Sequence, residues 1–163
     1  MLIRNILEES VRKFDEVKAV KWLNKKEIME RSYGELMENV VSTRKGLLAE
    51  GFEGKHIALI GTSSVEWMES YLGIITGCTT AVPLDAALPC EELIDLLNRS
   101  DSVALFLSPK LRPYLDAFLE NCPKLQKVWM LQEEVEDAPA KVYGIGELRN
   151  AGKSASADSV CPD

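Results

Sequence analysis

The sequence is poor in the residues that most often bind metals or act as nucleophiles. Histidine occurs once, at position 56, and the four cysteines are Cys78, Cys90, Cys122 and Cys161. None of these cysteines lies within two to four residues of another, which excludes the closely spaced pairs of zinc knuckles. Because the first residues do not form a secretory signal, we expect free thiols and a cytoplasmic location. A Cys–His nucleophile pair stays open, but His56 begins a strand pattern and fits a structural role better.

Basic charge and long apolar runs are also scarce. The chain has 19 Lys and Arg against 26 Asp and Glu, a formal net charge of −7, which argues against a nucleic-acid surface. The most membrane-like window, residues 71–89, is interrupted by residues 77–80 and by Pro83. A spanning helix needs ~20 mostly apolar residues. We therefore interpret this window as a buried helix, a turn and a buried strand.

The chain does contain a regular alternation of strand and helix patterns. Apolar runs predict strands near residues 56–60, 79–84, 102–107 and 127–131, with helical spacing between them. Such an alternation predicts an α/β fold with a mostly parallel sheet and helices on both faces. Two earlier strands around Asn24 are predicted to form a separate hairpin at one edge.

Several residues mark where helices begin and end. Ser32 and Glu35 have the spacing of a capping box, and Gly51 supplies the left-handed stop of the same helix. Ser63 and Glu66 repeat the capping-box spacing. We also expect Pro89 at the first position of a helix, because its missing N–H costs nothing there.

The pattern weakens after Leu131. Residues 132–141 are acidic and predicted to be a loop, and residues 143–152 to hold one short turn of helix. The small polar end of the chain is typical of a linker. The sequence thus predicts one α/β domain over 1–150 and a linker over 151–163.

The turn Gly-Thr-Ser-Ser at residues 61–64 follows a buried strand and precedes a helix, which is the arrangement of many phosphate sites. A pyrophosphate-binding turn needs several glycines, whereas this turn has one, and Glu66 would repel phosphate. We interpret the turn as a helix cap. The residues alone therefore assign no catalytic, cofactor-binding or metal-binding side chain, and Trp22, Trp67 and Trp129 are interpreted as core or rim.

An ordered set of motifs resembles the amino-terminal part of the AMP-forming acyl-CoA synthetases, which belong to the adenylate-forming superfamily with firefly luciferase and peptide-synthetase adenylation domains. The family's Thr/Ser-Tyr-x-Glu-Leu segment is matched by residues 32–36. Its helix end, Leu-Gly-Ile followed shortly by Gly, is matched by residues 72–74 and Gly77, and its Ala-Val-Pro-Leu-Asp segment by residues 81–85. Ser63 stands where the family usually has Asn. The resemblance covers roughly residues 1–150.

The resemblance implies an enzyme that makes an acyl-adenylate from a carboxylic acid and ATP, releases pyrophosphate, and transfers the acyl group to coenzyme A. It implies ATP, Mg²⁺ and coenzyme A for the full-length enzyme, with a fatty acid as the expected substrate. The family's lysine-containing phosphate loop and later motifs are absent from these residues. We therefore expect this segment to be inactive alone and to bind no cofactor. Its expected partners are the missing carboxyl-terminal part of the enzyme and a second copy in a homodimer.

Two alternatives remain open from the sequence. The chain could be a non-catalytic binding or interaction module on the same fold. It could also be part of an amino-acid adenylation domain.

Overall fold

A computed structural model describes residues 2–156 and shows alternating helices and strands. A 3-10 helix, Pro109–Tyr114, directly precedes the fifth α-helix. The elements in chain order are α1 (Ile3–Phe14), β1 (Lys18–Asn24), β2 (Glu27–Ser32), α2 (Tyr33–Ala49), β3 (His56–Ile60), α3 (Val65–Thr76), β4 (Thr80–Leu84), α4 (Cys90–Arg99), β5 (Ala104–Leu107), α5 (Leu115–Asn121), β6 (Lys127–Met130), β7 (Val142–Gly144) and α6 (Ile145–Ser154).

The main sheet has five parallel strands in the order β4-β3-β5-β6-β7. All four residues of the central strand β5 are buried, as expected for a parallel strand covered on both faces. Pro83 lies in β4, which is an edge strand, where a missing N–H is tolerated. The predicted parallel sheet and its four predicted strands are confirmed.

Two apolar cores lie on opposite faces of this sheet, because alternate residues of each strand point to opposite sides. In β3, Ala58 and Ile60 belong to the core covered by α4 and α5, whereas Ile57 and Leu59 belong to the core covered by α2, α3 and α6. The predicted placement of helices on both faces is therefore confirmed.

Close packing on the second face depends on two glycines. A Cβ atom on Gly152 of α6 would lie 1.9 Å from the Ser42 carbonyl oxygen of α2. A Cβ atom on Gly73 of α3 would lie 2.8 Å from the Cβ of Thr43. Helices α3 and α6 can therefore both approach the backbone of α2.

The hairpin is a separate two-stranded antiparallel sheet, as predicted, with Trp22 paired to Met29 and Asn24 to Glu27. Much apolar surface is exposed here: Leu23 is 69% and Ile28 74% accessible. The neighbouring helix α1 has no buried residue. Among residues 2–156, no helix has both the length and the apolar character needed to cross a bilayer.

Three local predictions are wrong. Ser64, not Ser63, caps α3, so Glu66 is one position too early to complete a capping box. Pro89 is the residue before α4 rather than its first residue. The loop expected over residues 132–141 is confirmed, but the single helical turn expected over residues 143–152 is wrong: a fifth strand of the main sheet, β7, is followed at once by the ten-residue helix α6. Helix α6 thus includes residues 151–154 of the expected linker; residues 157–163, including Cys161, lie outside the described residues.

Candidate functional site

The strand order places a crevice at the carboxyl end of β3 and β5. From β3 the chain moves to β4 on one side, and from β5 it moves through β6 and β7 on the other. Because the chain leaves β3 and β5 in opposite directions, the two turns that follow these strands diverge and leave a crevice between them. Open α/β sheets bind ligands in crevices of this kind. The candidate site is therefore the region where residues 61–64 face residues 108–110.

A cleft of ≈ 550 Å³ lies at this point, and we call it the switch-point cleft. It has three walls: the turn after β3 with the start of α3, the turn after β5, and the tip of the hairpin. Its lining residues are Trp22, Leu23, Asn24, Thr62, Ser63, Ser64, Val65, Glu66, Ser108, Pro109, Lys110 and Leu131. Hydroxyl groups, one aromatic ring and one charge of each sign thus face a single space.

The start of α3 is an ordinary capped helix start. The Ser64 hydroxyl oxygen accepts a hydrogen bond from the Trp67 backbone N–H at 3.1 Å. The Trp67 ring is stacked on Tyr71 with centroids 5.4 Å apart, and its Nε1 is buried without a hydrogen-bond partner. The Ser64 cap therefore uses one of the backbone N–H groups that a phosphate would need at this helix start. Glu66 lines the same cleft, and its negative charge would repel a phosphate.

The switch-point cleft has no excess of positive charge. The cleft opposes one lysine, Lys110, to one carboxylate, Glu66, so it offers no net positive charge to four phosphate charges. Within residues 2–156, no group of three or more His, Cys, Asp or Glu side chains is arranged to hold a metal ion.

The motif residues that carried the resemblance lie in the framework of the domain. Ser32 and Glu35 form the predicted capping box: Glu35 N–H donates to the Ser32 hydroxyl at 3.2 Å, and Ser32 N–H donates to the Glu35 carboxylate at 2.7 Å. Gly73 permits the contact between α2 and α3. The Asp85 carboxylate accepts from the Ala87 N–H at 2.9 Å and shapes the turn after β4.

His56 and the cysteines, which the sequence left open as a nucleophile pair, have contacts and burial that fit a structural role. The Nδ1 of His56 lies 2.7 Å from the Ser100 carbonyl oxygen. Burial raises the pKa of the Cys90 and Cys122 thiols, which opposes formation of a nucleophilic thiolate. We therefore assign no nucleophile to them.

A buried charge cluster is the feature that sequence reasoning missed. The fully buried carboxylate of Glu69 in α3 pairs with Arg31 of β2, accepts from Asn39 Nδ2 at 3.1 Å, and pairs with Arg149 Nη2 of α6 at 2.8 Å. Arg149, itself 4% exposed, also reaches Thr43 and Glu133. The partners are up to 106 residues apart in sequence, so no local motif indicates them.

The fold is an α/β domain with a cleft at the carboxyl end of its parallel strands, which is where open α/β sheets commonly bind ligands. The sequence model of one family, described as AMP-binding enzyme, matches residues 7–161. The chain belongs to this AMP-binding enzyme family.

Known proteins with similar sequence or structure are ligases of carboxylic acids. The chain is 24% identical over 119 residues to 4-hydroxybutyrate–CoA ligase 2 of Metallosphaera sedula, a match that covers 72% of this chain and 21% of that relative. Coronafacic acid ligase from Pectobacterium brasiliense has a TM-score of 0.85 at 21% identity, over 100% of this chain and 32% of that one. An anthranilate CoA ligase in complex with anthranoyl-AMP has a TM-score of 0.77 at 17% identity, over 96% of this chain and 28% of that one. The chain thus spans about a fifth to a third of the length of these relatives, and the two solved structures among them share its fold.

Proposed function

We propose that this chain is the amino-terminal part of an ATP-dependent ligase that joins a carboxylic acid to coenzyme A. In this reaction the carboxylate displaces pyrophosphate from ATP, and the thiol then displaces AMP from the acyl-adenylate. The observation that carries the proposal is the family match over residues 7–161, combined with a named acid–CoA ligase as a sequence relative. ATP would supply the adenylyl group, and Mg²⁺ would offset the phosphate charge.

We further propose that the adenylation residues lie outside these 163 residues, with the present chain serving as framework. The capped start of α3 and the carboxylate of Glu66 in the cleft support this proposal, because both oppose a phosphate at the one turn that resembles a phosphate site. The motif residues 32–36 and 72–77 support it too, because they contribute to helix capping and helix packing.

The proposed substrate is a carboxylic acid, and fatty acids are the first candidates to assay. The relatives named above act on 4-hydroxybutyrate, coronafacic acid and anthranilate, and a long-chain-fatty-acid CoA ligase from Rhodopseudomonas palustris shares the fold with a TM-score of 0.77. The acids therefore range from short to long and from aliphatic to aromatic. A soluble location in the cytoplasm and action as a homodimer are part of the same proposal.

A second candidate is the adenylation domain of a larger multidomain enzyme. The adenylation domain of a carboxylate reductase from Mycobacterium chelonae matches 83% of this chain with a TM-score of 0.72, so the same fold also occurs in that setting. A third is a non-catalytic module on this fold, which the framework role of the motif residues would allow.

The deciding experiment begins with the DNA that follows the Asp163 codon. An open frame that continues into a glycine-rich loop with lysine would support a ligase; a stop codon would support the module. The extended protein is then assayed for ATP–pyrophosphate exchange and for acyl-CoA formation with a panel of acids. Exchange with coenzyme A transfer supports the ligase, exchange without transfer supports the multidomain enzyme, and no exchange with any acid contradicts the proposal.

A further inference from the structure

One wall of the switch-point cleft belongs to an element that is not part of the main sheet. Trp22, Leu23 and Asn24 line the cleft, and all three lie at the end of β1 in the hairpin. A two-stranded hairpin alone is marginally stable in water. What holds these residues over the cleft must therefore come from contacts between the hairpin and the rest of the domain.

The base of the hairpin is fixed by backbone hydrogen bonds. Tyr33 N–H donates to the Val17 carbonyl at 3.0 Å, and Gly34 N–H donates to the Asp15 carbonyl at 3.0 Å. These bonds join the two ends of the hairpin to each other at the start of α2. The tip lies about seven residues from this base along each strand, at ~3.3 Å per residue, so these two bonds do not fix it directly.

Arg31 connects the hairpin to the buried charge cluster. Its guanidinium carbon lies 5.4 Å from the centre of the Trp22 ring, and its Nη1 pairs with the Glu69 carboxylate of α3. One side chain therefore links the ring in the cleft wall to a buried charge in the main domain. Arg31 is itself only partly buried, so water can reach it.

The cluster can lose Arg31 without leaving a buried charge unpaired. Glu69 would keep Arg149 at 2.8 Å and Asn39 at 3.1 Å, and Arg149 would keep Glu133 at 3.3 Å. Removal of the last partner of a buried charge is what makes such a break costly. The Arg31 contact can thus open and close at moderate cost.

We propose that the hairpin, residues 18–32, is a strap across the mouth of the switch-point cleft, and that the Arg31–Glu69 contact is the latch that holds it closed. When the latch opens, the strap swings about its base, and Trp22 leaves the cleft wall together with Arg31. Access to the turn at residues 61–64 is then controlled from α3, by a residue that does not line the cleft. This inference concerns the described chain itself and does not depend on the proposed ligase activity.

Hydrogen–deuterium exchange of the 163-residue chain tests the latch. In Arg31→Met, we expect amides of β1 and β2 to exchange at least ten times faster than in the unchanged protein, while those of β3, β5 and β6 keep their rates. The matched control is Arg99→Met, which removes an exposed arginine paired with Asp95 at 3.3 Å. It should change neither region.

Two results would overturn the proposal. Unchanged hairpin exchange in Arg31→Met would show that Arg31 does not hold the strap. Equal acceleration in the hairpin and the main sheet would show a general loss of stability and no separate motion.

Arg31→Lys provides a second variant that keeps the charge. We expect it to restore most of the hairpin's protection, since an ammonium group can still pair with Glu69, while the planar contact with Trp22 is weakened. The acrylamide quenching that is due to Trp22 is the quenching of a protein minus that of the same protein with Trp22→Phe. This difference should be at least twice as large in Arg31→Met as in the unchanged protein. An unchanged difference would mean that Trp22 stays in the cleft wall and that the strap does not open.

Discussion

Single residues set the ends of the helices, and Glu35 does so at the start of α2 through its charge. The Glu35 carboxylate accepts a hydrogen bond from the Ser32 backbone N–H. This bond holds the pKa of Glu35 below its ordinary value of 4.5. A carboxyl whose pKa is lowered by folding stabilises the protein above its unfolded-state pKa, and that stabilisation is lost as the pH falls through the folded-state pKa. The contribution of Glu35 is therefore present at neutral pH and disappears in acid.

The Glu35→Gln variant tests this pH dependence. We expect it to be less stable than the unchanged protein at pH 7, because an amide oxygen is a weaker acceptor than a carboxylate. The difference in free energy of unfolding should shrink as the pH falls below the ordinary value of 4.5 and through the lowered pKa of the folded state. Urea denaturation over a series of pH values from neutral to acid measures it, and a difference that stays constant across the series would contradict the account.

Gly152 is a second single position with a large expected effect. In Gly152→Ala the added methyl group would lie 1.9 Å from the Ser42 carbonyl oxygen, so α6 must move away from α2. We expect a loss of stability of ~3 kcal/mol or more, at the upper end for overpacking. The control is Gly54→Ala, where the space is open and only the positive φ of 70° is unfavourable, with a cost of ~1–2 kcal/mol. Equal effects in urea denaturation would contradict the packing argument.

At the scale of one element, the start of α3 distinguishes two candidate caps: Ser63, which the sequence spacing suggests, and Ser64, which makes the observed hydrogen bond. Ser64→Ala should destabilise the protein by ~1 kcal/mol, because the Trp67 N–H loses its acceptor. Ser63→Ala is the matched control one residue away, and it should change stability by less than ~0.5 kcal/mol. If the larger loss occurred at Ser63, the helix would begin one residue earlier than described.

The elements that could be predicted are those with a strong local signal. Strands β3 to β6 are apolar runs, and the Ser32–Glu35 capping box and the hairpin around Asn24 are short-range patterns. Strand β7 has only three residues, and α6 follows it at Gly144, which has no side chain to mark a cap. Both form because Val142, Ile145 and Leu148 pack into the cores. That packing depends on distant residues, so no local window predicts it.

The candidate site was less predictable than the fold for the same physical reason. The turn at residues 61–64 is visible in the sequence, but its neighbours are not. Lys110 and Trp22 reach it only because β5 lies beside β3 and because the hairpin tip lies next to the carboxyl end of these strands. Likewise, Glu69 and Arg149 are 80 residues apart and resemble ordinary surface charges until the helices pack. Strand order therefore determines the site, and strand order is not a local property.

At the scale of the whole molecule, the large exposed apolar residues of the described chain all fall within residues 2–29. They lie in or next to α1 and the hairpin, and they are Leu2, Ile3, Ile6, Phe14, Val17, Leu23, Ile28 and Met29. Exposed apolar surface favours association. We expect the 163-residue chain to form a dimer or a concentration-dependent oligomer in light scattering, and Ile28→Lys to weaken it. A strict monomer at high concentration would contradict this expectation.

Activity is the other property of the whole molecule, and we expect this chain alone to show none. Adenylation needs cations and aligned amides in place around the phosphates before charge develops. The switch-point cleft instead opposes Lys110 to Glu66, and the Ser64 side chain already occupies the Trp67 N–H. Calorimetry with Mg-ATP should therefore detect no micromolar binding, and ATP–pyrophosphate exchange with mixed fatty acids should equal a blank without protein. Micromolar binding or exchange above the blank would place a nucleotide site within these residues. Since Glu66 is the group expected to repel phosphate, Glu66→Gln would then bind more tightly if that site were the turn at residues 61–64, and unchanged binding would locate it elsewhere in the chain.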